Sequence, residues 1–446
     1  MAARIDEVKA SQSKLGVEGI YDARTLGVPK MLILGFQHAF AMFGATVLVP
    51  LLTGLEVSTA LLMAGLGTLL FHLLTKLQVP AFLGSSFAFL GGYAAVAPLL
   101  ADGSPNVEML PYACGGVAVS GLLYVILALL IKSFGTQRVM RFFPPVVVGP
   151  MIIAIGLILA PSAITNCQTN WLLAMIALVV IIVANIFGKG MIKIIPILLG
   201  IVVSYIVALF MNQVDFTLVQ EADIVGLPEI MIAKFDVSAI IAIVPIALAT
   251  MMEHIGDMCA ISATTGKNYI VKPGLHRTLL GDGIATSLSA IFGGPANTTY
   301  GENTGVLVLT KVYDPRVIRI AAVIAVLLSF IPKFSEIVHS IPTAIIGGVS
   351  LVLYGMISAV GIRNLVDNRV DFTKTRNLII AAVVLVFALG FNAAGGVTFQ
   401  VGEAVITLSG LAVAAIAGIL LNAILPGNDY TFDMQVEAED AAFPVE

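Results

Sequence analysis

The chain of 446 residues is 59% hydrophobic and only 11% charged, and its mean hydropathy is +1.02. Such a small number of charges cannot cover the surface of a soluble protein. The composition therefore predicts a polytopic membrane protein with little soluble mass. The net charge of −4 gives no reason to expect nucleic-acid binding. Cys114, Cys167 and Cys259 lie far apart and predict neither a metal site nor a disulfide framework.

The predicted elements begin with a polar arm over residues 1–30, which lacks the apolar core of a signal peptide, so the first span is the expected targeting signal. The tail from Pro426 is acidic and is expected to be loose. Between them, hydropathy predicts about 14 spans, several shorter than the ~20 residues of a full crossing. In order, the spans are 31–53, 57–76, 80–100, 110–132, 143–164, 170–187, 191–212, 238–260, 278–294, 296–312, 317–332, 341–361, 375–394 and 401–424.

The basic residues test this number of spans. An even number places both termini on one side of the membrane, and all Lys and Arg residues except Lys234 and Lys333 then fall on that side. The positive-inside rule therefore predicts a multi-pass protein of the cell membrane with both termini in the cytoplasm.

Two stretches of sequence recur seven spans apart. Residues 80–87 in span 3 resemble residues 295–302 in span 10, and residues 143–149 in span 5 resemble residues 341–347 in span 12. Seven is an odd number, so the second half is predicted to be inverted in the membrane, as in many secondary transporters. The alternative is chance recurrence of short motifs in spans rich in Gly and Pro.

Span 10 has the pattern of a broken membrane helix. Asn297 to Tyr300 form a polar run that favours a strand, and Glu302 and Gly305 follow before the sequence becomes apolar. Irregular backbone is tolerated at membrane depth only where it lines a site enclosed by protein. This stretch is therefore predicted to form half of a substrate site, with Glu302 at the start of a half-helix.

Ionisable residues within the spans are rare, and their burial is costly, so each is a functional candidate. Glu253 and Asp257 in span 8 share one helix face, His254 lies beside them, Glu302 opens the half-helix, and His38 lies in span 1. Three alternatives stay open: a structural carboxylate pair, an Asp257 already at the aqueous end of its helix, and a His38 that only bonds a neighbouring helix.

Two carboxylates so close in an apolar site cannot easily both stay ionised, so one is expected to carry a proton, which gives a coupling mechanism. Carboxylates and the free N–H groups of half-helices suit a small planar polar ligand, and Phe87 could stack on its face. This chemistry alone would also fit amino acids or anions.

Motifs for other functions are missing from the sequence. It contains no G-x-x-x-x-G-K-[ST], H-E-x-x-H, C-x-x-C or nucleophile elbow. An enzyme, a metal centre, a cofactor and ATP as the energy source are therefore not expected. A channel would need a continuous pore and would show no proton stoichiometry.

Five segments have the pattern of a known transporter family: residues 37–50, 83–89, 253–256, 273–277 and 297–303. They closely resemble the nucleobase–ascorbate transporter family, and within it the bacterial uracil permeases. Glu302-Asn303-x-Gly305 followed by Thr310-Lys311 also fits the signature of that family, and the resemblance covers roughly residues 31 to 425.

The resemblance implies proton-coupled uptake of a nucleobase by an all-α protein of two inverted seven-span repeats, with short strands in spans 3 and 10. It further implies core and gate domains and homodimers assembled through the gate domain. The resulting division is an arm (1–30), core (31–132), gate (133–212), outer loop (213–237), core (238–332), gate (333–425) and cytoplasmic tail (426–446).

The family's binding residues can be carried to matching positions. The resemblance implies that Glu253 and Glu302 bond the base and that Phe87 stacks on it. Tyr354 would close the pocket from the gate side. The remaining pocket-lining residues would be Ala45, Tyr300 and Gly301, and the candidates for proton coupling would be Glu253, Asp257, Asn303 and His38.

One position departs from the pattern. The residue after the Glu-His-x-Gly motif is usually His in the better-known uracil permeases, whereas this chain has Asp257. An acidic residue there resembles the purine-transporting branch. Uracil is the first expectation, because the other motifs are of the pyrimidine type, and xanthine or another purine is the alternative.

Overall fold

The architecture is almost entirely helical. The computed structural model describes Gly16, residues 18–100, 104–401 and 404–428, and Tyr430; the expectations for residues 1–15 and 431–446 lie outside the described residues. The main helices are α1 (Val28–Thr53), α2 (Val57–Leu74), α3 (Leu90–Val96), α4 (Leu110–Phe134), α5 (Pro145–Gln168), α6 (Trp171–Phe187), α7 (Pro196–Phe210), α8 (Val237–Thr265), α9 (Leu275–Ile291), α10 (Gly301–Thr310), α11 (Pro315–Ser329), α12 (Thr343–Asp367), α13 (Thr375–Ala393) and α14 (Gly410–Ile424).

Within the described residues, four strands and several short turns of helix complete the fold. The strands are β1 (Leu83–Ser85), β2 (Asn297–Thr299), β3 (Val397–Val401) and β4 (Ala404–Leu408). A 3₁₀ turn at Val244–Ile246 interrupts α8. The other short segments are Ala23–Leu26, Phe87–Phe89, Thr136–Met140, Met191–Ile194, Thr217–Glu221, Ile270–Gly274 and Pro332–His339.

The helices confirm a multi-pass membrane protein. Within the described chain, α1, α2, α4, α5, α8, α12 and α13 are each long and apolar enough to cross a membrane. The bent pair of α11 and Pro332–His339, which meet at 88°, would add an eighth span. Helices α6, α7 and α14 are apolar but shorter, so the number of 14 crossings stays a prediction.

Local sequence explains where several helices begin. Asn170 caps α6 by accepting from the N–H groups of Leu172 and Leu173, at 3.1 and 3.3 Å. Asp314 caps α11 in the same way, with Pro315 in the first helical position, where its missing N–H costs nothing. Ser409 caps α14 through the N–H of Ala412 at 3.2 Å. These caps satisfy N–H groups that lipid could not.

The contacts between helices recur when each helix of α1–α7 is replaced by its counterpart in α8–α14, so that α1 corresponds to α8 and α7 to α14. Helix α2 packs on α11 as α9 packs on α4, and α1 contacts α11 as α8 contacts α4. In the same way, α6 packs on α7 and α12, while α13 packs on α14 and α5. The contacts α5–α12 and β1–β2 each join an element to its own counterpart in the other half. Two repeats related by a two-fold axis give this pattern.

Contacts are densest within two groups of elements. Helices α1, α2, α4, α8, α9 and α11 pack mainly on one another around β1 and β2, and α5–α7 pack mainly with α12–α14. The first part of α8, Val237–Ile243, also contacts β4, and this contact joins the two groups. The predicted domain boundaries stay a prediction.

The predicted span 401–424 is wrong at its start. Strands β3 and β4 form an antiparallel hairpin that pairs Val397 with Leu408, and helix α14 begins only at Gly410. The physical reason is a run rich in β-branched residues placed after Gly395 and Gly396, whose positive φ angles of 84° and 92° end α13.

Several other span limits differ from the prediction by a few residues. Helix α8 continues to Thr265 instead of stopping at 260, α9 starts at Leu275 instead of 278, and α12 ends at Asp367 instead of 361. Hydropathy alone predicts loops at the polar residues near these ends, although the helices extend beyond their apolar cores.

The end of the N-terminal arm packs against the connection between α10 and α11. Ile20 forms a parallel bridge with Val312. The backbone N–H of Ala23 donates to Asp314 at 2.8 Å, and Arg316 donates to Asp22 at 3.0 Å. The predicted outer loop, residues 213–237, runs back over other helix ends, where the N–H of Lys234 donates to the carbonyl of Pro111 at 2.9 Å.

Candidate functional site

Two short strands cross at the centre of the molecule. Strand β1 pairs antiparallel with β2 in a register that sets Leu83 opposite Thr299 and Ser85 opposite Asn297. Beyond the strands, the chain turns into Phe87–Val96 on one side and α10 on the other. The N-termini of both half-helices therefore point toward the crossing, and their unpaired N–H groups can bind polar or anionic groups.

Glu302 lies where the sequence predicted it, in the first turn of α10. Its side chain is half-buried, and the preceding Gly301 is exposed. A Cβ atom added at Gly301 would meet no atom within 4 Å. Open space therefore adjoins the start of the half-helix, next to the carboxylate.

Helix α8 brings two further carboxylates to the same crossing. Glu253 and Asp257 lie one turn apart on α8 and are half-buried. The Asp257 carboxylate accepts a hydrogen bond of 2.6 Å from the Thr299 hydroxyl of β2. Glu253 lies within electrostatic range of both Asp257 and Glu302. The three carboxylates thus form one cluster between α8 and the broken span.

An aromatic pair lies on the other side of the crossing. The rings of Phe87 and Tyr354 meet edge to face, with their centroids 6.4 Å apart and their planes at 75°. Phe87 belongs to the span-3 half-helix and Tyr354 to α12, so the contact joins the two groups of helices. The contact brings together the two residues that the family resemblance implies stack on the base and close the pocket, and those roles stay predictions.

Tyr300 and Ala45 are buried at the crossing. The Tyr300 hydroxyl donates to the carbonyl of Ser85 at 3.0 Å and accepts from the Thr46 hydroxyl at 3.3 Å. The hydroxyl group of Tyr300 therefore links β1 and α1 to the second broken span. Ala45, the neighbour of Thr46, is fully buried.

His38 and Asn303 form a separate buried pair. The Asn303 amide nitrogen lies 3.1 Å from Nδ1 of His38 and donates to the His38 carbonyl, also at 3.1 Å. An amide nitrogen is a donor, so Nδ1 must accept and the ring proton lies on Nε2. This contact ties α1 to α10 one residue after Glu302. Its role in proton coupling stays a prediction.

The sequence reasoning missed a buried pair behind the carboxylate cluster. Nδ1 of His254 lies 3.0 Å from Oδ2 of Asp282, and both side chains are fully buried. Within the described chain, neither has a hydrogen-bond partner other than this contact. The rule that singled out Glu253 would have found Asp282, because it is the one carboxylate of the apolar span 278–294.

Two cavities related by the internal repeat flank the crossing. The wide vestibule has a volume of 330 Å³ and is lined by Phe40, Gly44, Asn185, Lys193, Glu302 and Met356, among others. The narrow vestibule has a volume of 20 Å³ and is lined by Ala88, Ile155, Ile246, Asn392, Ser409 and Leu411, among others. Each element lining the narrow vestibule is the repeat counterpart of one lining the wide vestibule. Equivalent spaces are thus wide on one side and narrow on the other.

Comparison with known proteins identifies the class of the molecule. Residues 29–395 match the model of a family described as the Permease family. The chain belongs to this permease family. It is therefore a transporter and not an enzyme, and the matched residues contain the whole carboxylate cluster and both half-helices.

Named relatives of this permease are similar over nearly their full length. A uracil permease of Bacillus caldolyticus is 44% identical over 92% of this chain and 94% of its own. A putative pyrimidine permease, RutG, of Escherichia coli K12 is 40% identical over 94% of both chains.

Solved structures of distant transporters share the permease's fold. The transmembrane domain of the cyanobacterial bicarbonate transporter BicA has a TM-score of 0.60 at 14% identity, covering 91% of this chain and 100% of that one. The murine anion transporter Slc26a9 has a TM-score of 0.65 at 11% identity, covering 95% and 74%. At such low identity these likenesses bear on the fold alone, and they confirm the predicted inverted-repeat class.

Proposed function

We propose that this permease imports a nucleobase, with uracil as the first candidate, in symport with protons by alternating access. The observation that carries the proposal is the cluster of Glu253, Asp257 and Glu302 at the N-terminus of a half-helix, with the Phe87–Tyr354 pair across the crossing. The printed names of the similar proteins, uracil and pyrimidine permeases, support a nucleobase as the ligand.

The groups at the crossing complement both the edge and the face of a nucleobase. Carboxylate oxygens of Glu253 and Glu302 accept from ring N–H groups, and the free N–H groups of α10 donate to ring carbonyls. The face of the base packs against Phe87, whose edge-to-face contact with Tyr354 holds its ring in place. A base held in this way has each polar edge atom paired, as burial requires.

The unequal vestibules support alternating access. The wide vestibule runs from Glu302 to Lys193, which lies at the end that the basic residues predict to be cytoplasmic. The equivalent space on the opposite side measures 20 Å³. Rocking the α5–α7 and α12–α14 group against the other helices would exchange the two openings, as inverted repeats permit.

The carboxylate cluster supports proton coupling. Three carboxylates in one enclosed site repel each other when all are ionised, so proton uptake favours closure around a neutral base. Asp257 is the first candidate for the carrier, since its carboxylate bonds to Thr299 and leaves Glu253 and Glu302 free for the ligand. Within the same class, the acidic Asp257 favours xanthine as the second candidate.

The deciding experiment measures binding of uracil and of xanthine to the purified protein across pH. We expect uracil to bind and Glu302→Ala to abolish binding, because the acceptor at the half-helix is lost. Wild-type affinity in Glu302→Ala would refute the proposed site. Binding of xanthine alone would replace uracil by a purine, and binding of neither base would refute the nucleobase proposal.

Coupling is tested separately in proteoliposomes. We expect Asp257→Asn to retain most of the uracil affinity but to lose the stimulation of uptake by an imposed proton gradient. Thr299→Val, which removes the donor but keeps the carboxylate, serves as the comparison. An unchanged response to the gradient in Asp257→Asn would show that the proton is carried elsewhere.

A further inference from the structure

The wide vestibule is an apolar passage with few polar side chains. Among its lining residues, the polar side chains are those of Asn185, Lys193 and Glu302. Glu302 lies at the central site, whereas Asn185 is near the end of α6 and Lys193 is in the short helix Met191–Ile194 that leads into α7. A base that leaves Glu302 must therefore cross an apolar stretch before it reaches water.

Asn185 and Lys193 have no internal structural task in the described chain. No hydrogen bond or ion pair joins either side chain to another described residue, although Asn185 is half-buried and Lys193 is exposed toward the passage. Because the amide atoms of Asn185 are not fully enclosed, they open onto the passage, where water or a ligand can pair with them.

The internal repeat contains a counterpart of this arrangement. Asn185 is followed three residues later by Gly188, and Asn392 is followed three residues later by Gly395. Asn392 lines the narrow vestibule just as Asn185 lines the wide one. An amide side chain thus occurs at equivalent places in both passages, although the surrounding sequences differ.

We propose that Asn185 and Lys193 form a transit subsite for the nucleobase between the central site and the cytoplasmic opening. The Asn185 amide offers one donor and one acceptor side by side, which match the adjacent N–H and C=O groups of a pyrimidine or purine ring. The Lys193 ammonium donates to a second ring carbonyl. This inference rests on the proposed function and adds a second, weaker binding position to it.

The subsite is expected to affect transit and not binding at the centre. Loss of one hydrogen bond that forms only during transit should slow turnover by about fivefold, since such a bond is worth about 1 kcal/mol. We expect Asn185→Leu and Lys193→Met to lower kcat for uracil uptake in proteoliposomes by about this factor. The equilibrium Kd for uracil in detergent should stay within about twofold of the wild type, because neither residue touches the central site.

Two matched controls lie on the same segments but outside the vestibule lining. Lys189→Met removes a neighbouring positive charge, and Ile182→Leu alters an exposed apolar residue of α6. Both should transport as the wild type does. Rates in Asn185→Leu and Lys193→Met equal to these controls would overturn the proposal, as would a Kd that weakens in step with the rate.

A direct binding test uses the protein without its central acceptor. In Glu302→Ala, saturation-transfer NMR with millimolar uracil should detect a weak residual contact, which should vanish in the double variant with Asn185→Leu. No residual contact, or one that survives the second change, would overturn the subsite. Failure of the wild-type protein to bind and transport either uracil or xanthine would instead refute the proposed function, so the two failures are distinguishable.

Discussion

Two glycines at the crossing should respond in opposite ways to the same added methyl group. A Cβ atom at Gly84 in β1 would lie 2.5 Å from Cε2 and 2.7 Å from Oη of Tyr300. The ring cannot easily move aside, because its hydroxyl is bonded to Ser85 and Thr46. Overpacking of this kind costs about 1–3 kcal/mol, so Gly84→Ala should be destabilised by that amount.

Gly301 presents the reverse case. An added Cβ atom would meet nothing within 4 Å, and the residue begins α10. Alanine is the better helix former by up to about 1 kcal/mol, so Gly301→Ala should be as stable as the wild type or more stable. The methyl group would, however, enter the open space beside Glu302. One extra methyl in a ligand pocket is worth about 1–3 kcal/mol, so uracil should bind roughly 10- to 200-fold more weakly.

The assay combines thermal unfolding in detergent with uracil binding by calorimetry. Gly390→Ala is the matched control, since it adds a methyl group at an exposed helical glycine with nothing within 4 Å. We expect this control to leave uracil binding unchanged and not to lower the stability of the protein. Wild-type stability of Gly84→Ala would refute the packing of Tyr300 across β1. Wild-type affinity of Gly301→Ala would show that the base does not lie at the half-helix.

Two further predictions concern polar contacts outside the ligand pocket. We expect Asp282→Ala to destabilise the protein by about 1–3 kcal/mol, because it leaves a ring nitrogen of His254 buried without its partner. The double variant His254→Leu/Asp282→Leu should recover most of the loss in a thermal unfolding cycle, and additive losses would refute a direct coupling. Hydrogen bonding to Arg24, aided by the nearby Arg316, lowers the pKa of Asp22 to about 2. Asp22 therefore stabilises the docked arm above the ordinary carboxyl pKa of 3.8 and loses this effect only as the pH falls toward 2. The protection of residues 18–26 against hydrogen exchange should thus be constant from pH 5 to 8 after correction for intrinsic rates. Exchange should be faster in Asp22→Asn. Protection unaltered by this substitution would refute the docking role.

The sequence predicted the parts of the fold that follow from hydropathy and from recurrence. The polar run before Glu302 could only be a broken span, and strand β2 occupies residues 297–299 within it. The matching run at residues 80–87 predicted a strand in the other half, and β1 lies there, one residue further along its run than β2. Both are local signals, because irregular backbone at membrane depth needs polar residues and glycine in one short stretch.

Other features depended on contacts that no local pattern encodes. Hydropathy predicts a span start at the β3–β4 hairpin, since its residues are as apolar as those of a helix and only the β-branched content distinguishes them. The pairing of His254 with Asp282 required α8 and α9 to be placed side by side. The bond from Thr299 to Asp257 likewise joins residues that are 42 positions apart.

The two halves share a backbone plan but supply different chemistry to the crossing. The strands and the starts of the two half-helices align Phe87 with Gly301, so Phe87 lies one residue ahead of the place that Glu302 occupies seven spans later. One half-helix therefore contributes an aromatic face, and the other contributes a carboxylate beside free N–H groups. A spherical anion would gain nothing from the ring, and an apolar molecule would gain nothing from the carboxylate. A flat molecule with a polar edge uses both, so the way in which the repeats have diverged itself favours a nucleobase.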